Sequence, residues 1–138
     1  MYKNKKFFIL GMARSGYEVA KLLAKDNTVF ITDMKEQDGD KVKELESLGV
    51  TFILSDNPTD LLDDSYDIMV KNPGIKYDHP TVVKAKNGNI DIFAIPAGIE
   101  TKLLIIGMNL PKKTAYFPLL SNHLNALLIF VFFNPNIL

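Results

Sequence analysis

The chain has 138 residues, 47% hydrophobic and 23% charged, a make-up that fits one folded domain with room for part of a second. Sixteen Lys and Arg balance sixteen Asp and Glu, so no net charge draws it to nucleic acid or to an anionic membrane. Cysteine is absent, which excludes disulfides, thiolate metal sites and cysteine nucleophiles and fits a reducing cytoplasm.

The first lysines precede only the short apolar run Phe7–Leu10, too short for a secretory leader and shaped like a buried strand. Gly11 follows, then Ser15-Gly16, and Tyr17–Lys25 places Val19, Ala20, Leu22 and Leu23 on one helical face. Thr28–Thr32 is β-branched and aromatic, a second strand ending in Asp33. After a polar turn at Glu36–Asp40, Lys41–Leu48 has helical spacing, and Gly49 stands where a helix-terminating glycine belongs. Val50–Leu54 is a third strand, and Asn57–Asp64 a loop with a helical turn. Tyr66–Val70 is a fourth strand, closed by Lys71-Asn72-Pro73-Gly74. Pro80–Lys86 is a helix opened by proline, and Ile90–Ile95 a fifth strand.

Strands alternating with helices over short loops predict an α/β fold: a Rossmann-like open parallel sheet of about five strands with flanking helices, over residues 1–95. Gly98–Leu104 has a helical reading and Leu103–Ile106 a strand reading, Pro118–Leu138 shows no clean period, and residues 96–138 as a whole are expected to form an irregular apolar tail. Its run Leu124–Phe133 is about half the length of a membrane-spanning helix, so no span is expected. In such sheets ligands bind beyond the carboxyl ends of the strands, near the point where strand order reverses. That rule puts Gly11–Gly16, Asp33–Lys35 and Asn72–Ile75 on one rim.

The loop Gly11-Met12-Ala13-Arg14-Ser15-Gly16 lies between a strand and a helix, the context in which glycine loops bind phosphate. Gly11 permits the tight turn and Gly16 allows close packing of helix on strand. The helix N-terminus offers backbone N–H groups to an anion, with the Ser15 hydroxyl and the Arg14 charge beside them. The dinucleotide fingerprint would have glycine at Ala13, and the Ala13 Cβ argues against the closest approach of a pyrophosphate. Asp33 stands where NAD-binding domains hold a ribose, so a small NAD(P)-binding module is one alternative. Gly74 is expected to adopt a backbone conformation that other residues resist, with Pro73 stiffening the turn. His79 reads as a helix cap or surface residue rather than a catalytic one.

Three segments together resemble the peptidoglycan-synthesis ligases that add D-glutamate to UDP-N-acetylmuramoyl-L-alanine: FFILGMARSGYEVAKLLAK (Phe7–Lys25), ITDMK (Ile31–Lys35) and VKNPGI (Val70–Ile75) followed by His79-Pro80. The third is the most specific, and the resemblance runs from about Lys5 to Ile92. It implies a first domain that holds the UDP part of the substrate. In the UDP-binding loop from Gly11 to Gly16, Ala13, Arg14 and Ser15 would then face the diphosphate, Asp33, Met34 and Lys35 would border the uridine, and Asn72, Pro73 and Gly74 would shape the rim. In the full-length family, ATP with Mg phosphorylates the substrate carboxylate, and the amine of D-glutamate displaces the phosphate to form an amide.

The family's central domain opens with a phosphate loop, and here the matching stretch is Gly107–Thr114. Lys113 and Thr114 match the lysine that meets ATP and the hydroxyl that meets Mg. However, Pro111 and Lys112 stand where such a loop needs a donor and a glycine. Residues 96–138 are therefore expected to be a divergent remnant of the start of the ATPase domain, through frameshift, truncation or divergence. No catalytic residue, metal site or cofactor is expected in this chain alone, only a cytoplasmic domain binding UDP-N-acetylmuramoyl-L-alanine or another UDP-containing ligand. A non-enzymatic scaffold with Leu124–Leu138 as an apolar interaction or oligomerising element is a further alternative.

Overall fold

A strand that is apolar at every position, such as Phe7–Leu10, needs a core on both of its faces. The computed structural model, which describes residues 2–95, provides both. Strand β1 (Lys6–Leu10) sends Phe7 and Ile9 into one core and Phe8 and Leu10 into another. The first core is completed by Val19, Ala20 and Leu23 of helix α1 (Arg14–Leu23) and Leu45 of helix α2 (Gly39–Ser47). The second is completed by Val82 and Ala85 of helix α3 (Pro80–Asn87), with Leu62 and Tyr66.

Strands β2 (Thr28–Asp33), β3 (Thr51–Leu54), β4 (Ile68–Lys71) and β5 (Asp91–Ala94) join β1 in a five-stranded sheet ordered β3-β2-β1-β4-β5, with every pairing parallel. The chain winds outward from β1 to β3, then crosses to β4 on the other side of β1. The strand order therefore reverses between β1 and β4, and α1 and α2 pack on the face opposite α3, as right-handed crossovers require. The expected five-stranded Rossmann-like sheet is present. The expected tail, with Lys113 and Thr114, lies outside the described residues.

Helix ends follow local chemistry. Asp38 caps α2 by accepting from the Asp40 N–H at 2.9 Å. After α2, Gly49 takes φ +85° and its N–H donates to the Glu46 carbonyl, while the Val50 N–H donates to that of Leu45. This paired closure is the one a left-handed glycine allows. His79 caps α3, its Nδ1 accepting from the Thr81 N–H at 3.2 Å, so the capping role expected of it is the one it holds. Helix α1 begins at Arg14, three residues before the start that its apolar face suggests, because its first turn carries no core residue before Gly16. The two helices on one face are tied by Glu44, which accepts from the Tyr17 hydroxyl and lies 2.6 Å from Lys21 Nζ.

Candidate functional site

Beyond the carboxyl ends of β1, β2 and β4 lies a cavity of about 930 Å3. Gly11, Ala13, Arg14 and Ser15 line it from the β1 loop, Asp33, Met34 and Lys35 from the β2 end, and Asn72, Pro73 and Gly74 from the β4 end. The structure thus brings together every candidate residue within the described range except Gly16, which sits behind the wall. Gly16 is where α1 meets β1: a Cβ there would collide with the Gly11 carbonyl oxygen, so only glycine permits this closeness. Gly11 takes φ +94° as the chain turns, and its N–H donates to the Thr32 carbonyl at 2.8 Å.

Two ties hold the loop from either side. The first is Asp33, whose Oδ2 accepts from the Met12 N–H at 2.8 Å and whose Oδ1 accepts from the Lys35 N–H at 2.9 Å. This carboxylate fastens the glycine loop to the β2 end, and each of its oxygens already holds a backbone donor. The second is Asn72, 5% exposed, whose amide packs against both loop glycines. A Cβ on Gly11 would collide with its Nδ2, and one on Gly16 would lie 3.2 Å from its Oδ1. That Oδ1 is buried without a hydrogen-bond partner among the described residues.

The first turn of α1 faces the cavity with its donors open. No side chain caps it, no acid stands in its first turn, and its first intrahelical bond runs from the Tyr17 N–H to the Ala13 carbonyl. The N–H groups ahead of Tyr17 are those a helix leaves for an anion. Arg14, Lys35 and Lys76 add positive charge to the lining, against Asp33 and Asp78.

On the β4 side, the Asn72 carbonyl accepts from the Ile75 N–H at 3.1 Å, closing a turn over Pro73 and Gly74. Gly74 departs from expectation: its φ is not positive and nothing lies within 4 Å of where its Cβ would be. The turn is held instead by Lys71, whose Nζ donates to the Ile75 carbonyl at 2.6 Å. In the sequence Lys71 stands out only as a lysine closing the apolar strand IMVK, and its hold on the turn is not legible from that. Lys76, Asp78 and Pro58 also line the cavity, from loops whose path the sequence does not set. Among the described residues no group of His, Asp and Glu clusters for a metal, and no helix is long and apolar enough to cross a membrane.

Fold and cavity together define a Rossmann-like α/β domain with its opening at the switch point of the sheet. A crystal structure of GenD2 from gentamicin A biosynthesis in complex with NAD shares that fold, with a TM-score of 0.50 and 15% identity, covering 68% of this chain and 27% of that one. No family model matches the chain. The particular likeness lies in the sequence. The chain resembles UDP-N-acetylmuramoylalanine–D-glutamate ligases, with 41% identity over 98 residues to that of Lactobacillus gasseri and 45% over 92 residues to that of Enterococcus hirae. These matches cover 69% and 65% of this chain but 21% and 20% of the relatives, so the chain spans about a fifth of the length of the curated relatives it matches.

Proposed function

We propose that residues 1–95 form the UDP-binding part of a D-glutamate-adding ligase of peptidoglycan synthesis, and that the cavity takes the UDP moiety of UDP-N-acetylmuramoyl-L-alanine. One observation carries the reading. The three segments that resemble these ligases, distant in sequence, converge on a single cavity at the sheet's switch point. The diphosphate would lie against the open first turn of α1, within reach of the Ser15 hydroxyl and Arg14. The uridine would lie toward Asp33, Met34 and Lys35, and the sugar side toward Asn72, Pro73 and Gly74. Asp33 would act here mainly by holding the loop, since its oxygens already accept from Met12 and Lys35.

Residues 1–95 would supply substrate binding and not the ligation chemistry itself. ATP and Mg, and the transfer of the acyl group to D-glutamate, belong to parts of the family beyond residues 1–95, and residues 96–138 are read as a divergent remnant of the ATPase start. The lack of a glycine at Ala13 and the engaged Asp33 weigh against the NAD(P) reading. Calorimetric titration of the full chain with UDP-N-acetylmuramoyl-L-alanine, UDP and NADH separates the readings. Binding of the two uridine ligands with no heat from NADH is the expected result. Saturation by NADH alone, or no binding at millimolar uridine ligand, would sink the proposal.

A further inference from the structure

Lys71 is 4% exposed, at the end of a strand whose other residues are all apolar. Its Nζ donates to the Ile75 carbonyl at 2.6 Å, reaches the Asn72 carbonyl at 3.5 Å, and lies 4.5 Å from the centre of the Tyr77 ring. All three contacts belong to the loop that follows it. Among the described residues no carboxylate pairs with it; the ion pair there joins Lys21 and Glu44. Burial pushes its pKa below the ordinary lysine value. A buried ammonium without a carboxylate is a costly way to fill space, and a methionine of similar length would fill it without that penalty. What the ammonium adds is donors aimed at two carbonyls of one turn.

That turn, Asn72–Ile75, is a wall of the cavity, and it carries the Asn72 amide into the notch left by Gly11 and Gly16. We propose that Lys71 is a positioning residue for the candidate nucleotide cavity. By gathering the Asn72 and Ile75 carbonyls it fixes the turn that seats Asn72 against the glycine loop, so that the β4 wall stands formed before ligand arrives. This inference rests on the nucleotide reading of the cavity. In that reading Lys71 touches no ligand and acts through the wall it holds.

The test uses the full chain with K71M and K71R and takes three readings: amide exchange at Ile75 without ligand, affinity for UDP, and Tm. In K71M the Ile75 amide should exchange about tenfold faster and UDP should bind about tenfold more weakly, the loss expected for one charge-assisted hydrogen bond. The Tm should hold or rise, because an unpaired buried charge has gone. K71R keeps charge and donors and should restore both protection and affinity. Should K71M fail to fold, K71Q replaces it, with the same sense of change expected at Ile75 and for UDP. The inference is overturned by wild-type protection at Ile75 in the neutral variant, by a fall in Tm with β1 amides loosening alongside Ile75, or by K71R failing to restore either reading. A wild-type chain that does not bind UDP overturns the nucleotide reading by itself, and the Ile75 exchange then judges whether Lys71 fixes the turn.

Discussion

Gly16, behind the cavity wall, and Gly74, on the cavity's rim, are glycine under unequal constraint. A Cβ on Gly16 meets the Gly11 carbonyl, a backbone atom that cannot rotate away. G16A should therefore force α1 off β1 at a cost of about 1–3 kcal/mol, the usual range for overpacking a tight contact. Tm should fall by roughly 4–8 °C per kcal/mol for a domain of this size. G74A meets nothing within 4 Å and a permitted φ, so thermal melts should place it within about 0.5 kcal/mol of the parent. Equal losses in the two variants would contradict the geometry. Asp33 makes a third case at this scale. D33A leaves the Met12 and Lys35 N–H groups without their carboxylate, and stability should fall by about 1–3 kcal/mol in denaturant titration. On the reading proposed above, UDP affinity should fall with it, because the glycine loop loses its tie to β2.

At the scale of elements, α1 and α2 are joined by a polar clasp on the solvent side. Glu44 is held below the ordinary carboxylate range, first by the hydrogen bond from Lys21 and then by that from Tyr17. Lys21 and Tyr17 are both raised, each chiefly through its hydrogen bond to Glu44. The signs fix a window. A depressed carboxylate contributes stability above its unfolded pKa, about 4.3, and loses it as pH falls through the lower folded value. The raised tyrosine and lysine contribute below about pH 10 and lose that contribution as pH rises through their folded values. Melts of the parent against E44Q should therefore converge toward low pH and differ most between about pH 5 and 9; a constant difference across the range would rule the clasp out.

The clasp also marks what a sequence does not disclose. Tyr17 and Glu44 lie 27 residues apart, and nothing in either helix's periodicity pairs them. Periodicity did disclose the elements themselves. The apolar faces of α1 and α2, the β-branched strands and the left-handed Gly49 are local facts, decided within a few residues. The rim was legible for the same reason, since strand ends fix where loops emerge. The seat of the Asn72 amide was not, because it depends on what the β1 loop and the β4 loop present to each other, and the role of Lys71 and the relaxed backbone of Gly74 were not, because both depend on the path of the loop after β4.

For the whole molecule, the order of strands implies an order of opening. Strand β1 lies at the centre, with β2 and β4 on its two sides and Phe7, Phe8 and Ile9 fully buried. Strand β3 lies at the edge, where Thr51 and Leu54 are exposed and Phe52 and Ile53 only half-buried, and α2, which packs on it, buries a single side chain, Leu45. Local opening follows such differences in burial. Amide exchange should therefore be slowest in β1 and β4, intermediate in β2, and fastest among the strands in β3 and the helix beside it, so that β3 and α2 open as a unit before the centre does. Exchange at one rate throughout the sheet would show that the domain opens only as a whole. A ligand in the cavity touches the ends of β1, β2 and β4 and not that of β3. Saturating UDP should then slow exchange at the glycine loop, at Met34-Lys35 and at Ile75 together, while β3 keeps its own rate, because its partial opening leaves the cavity's three walls in place.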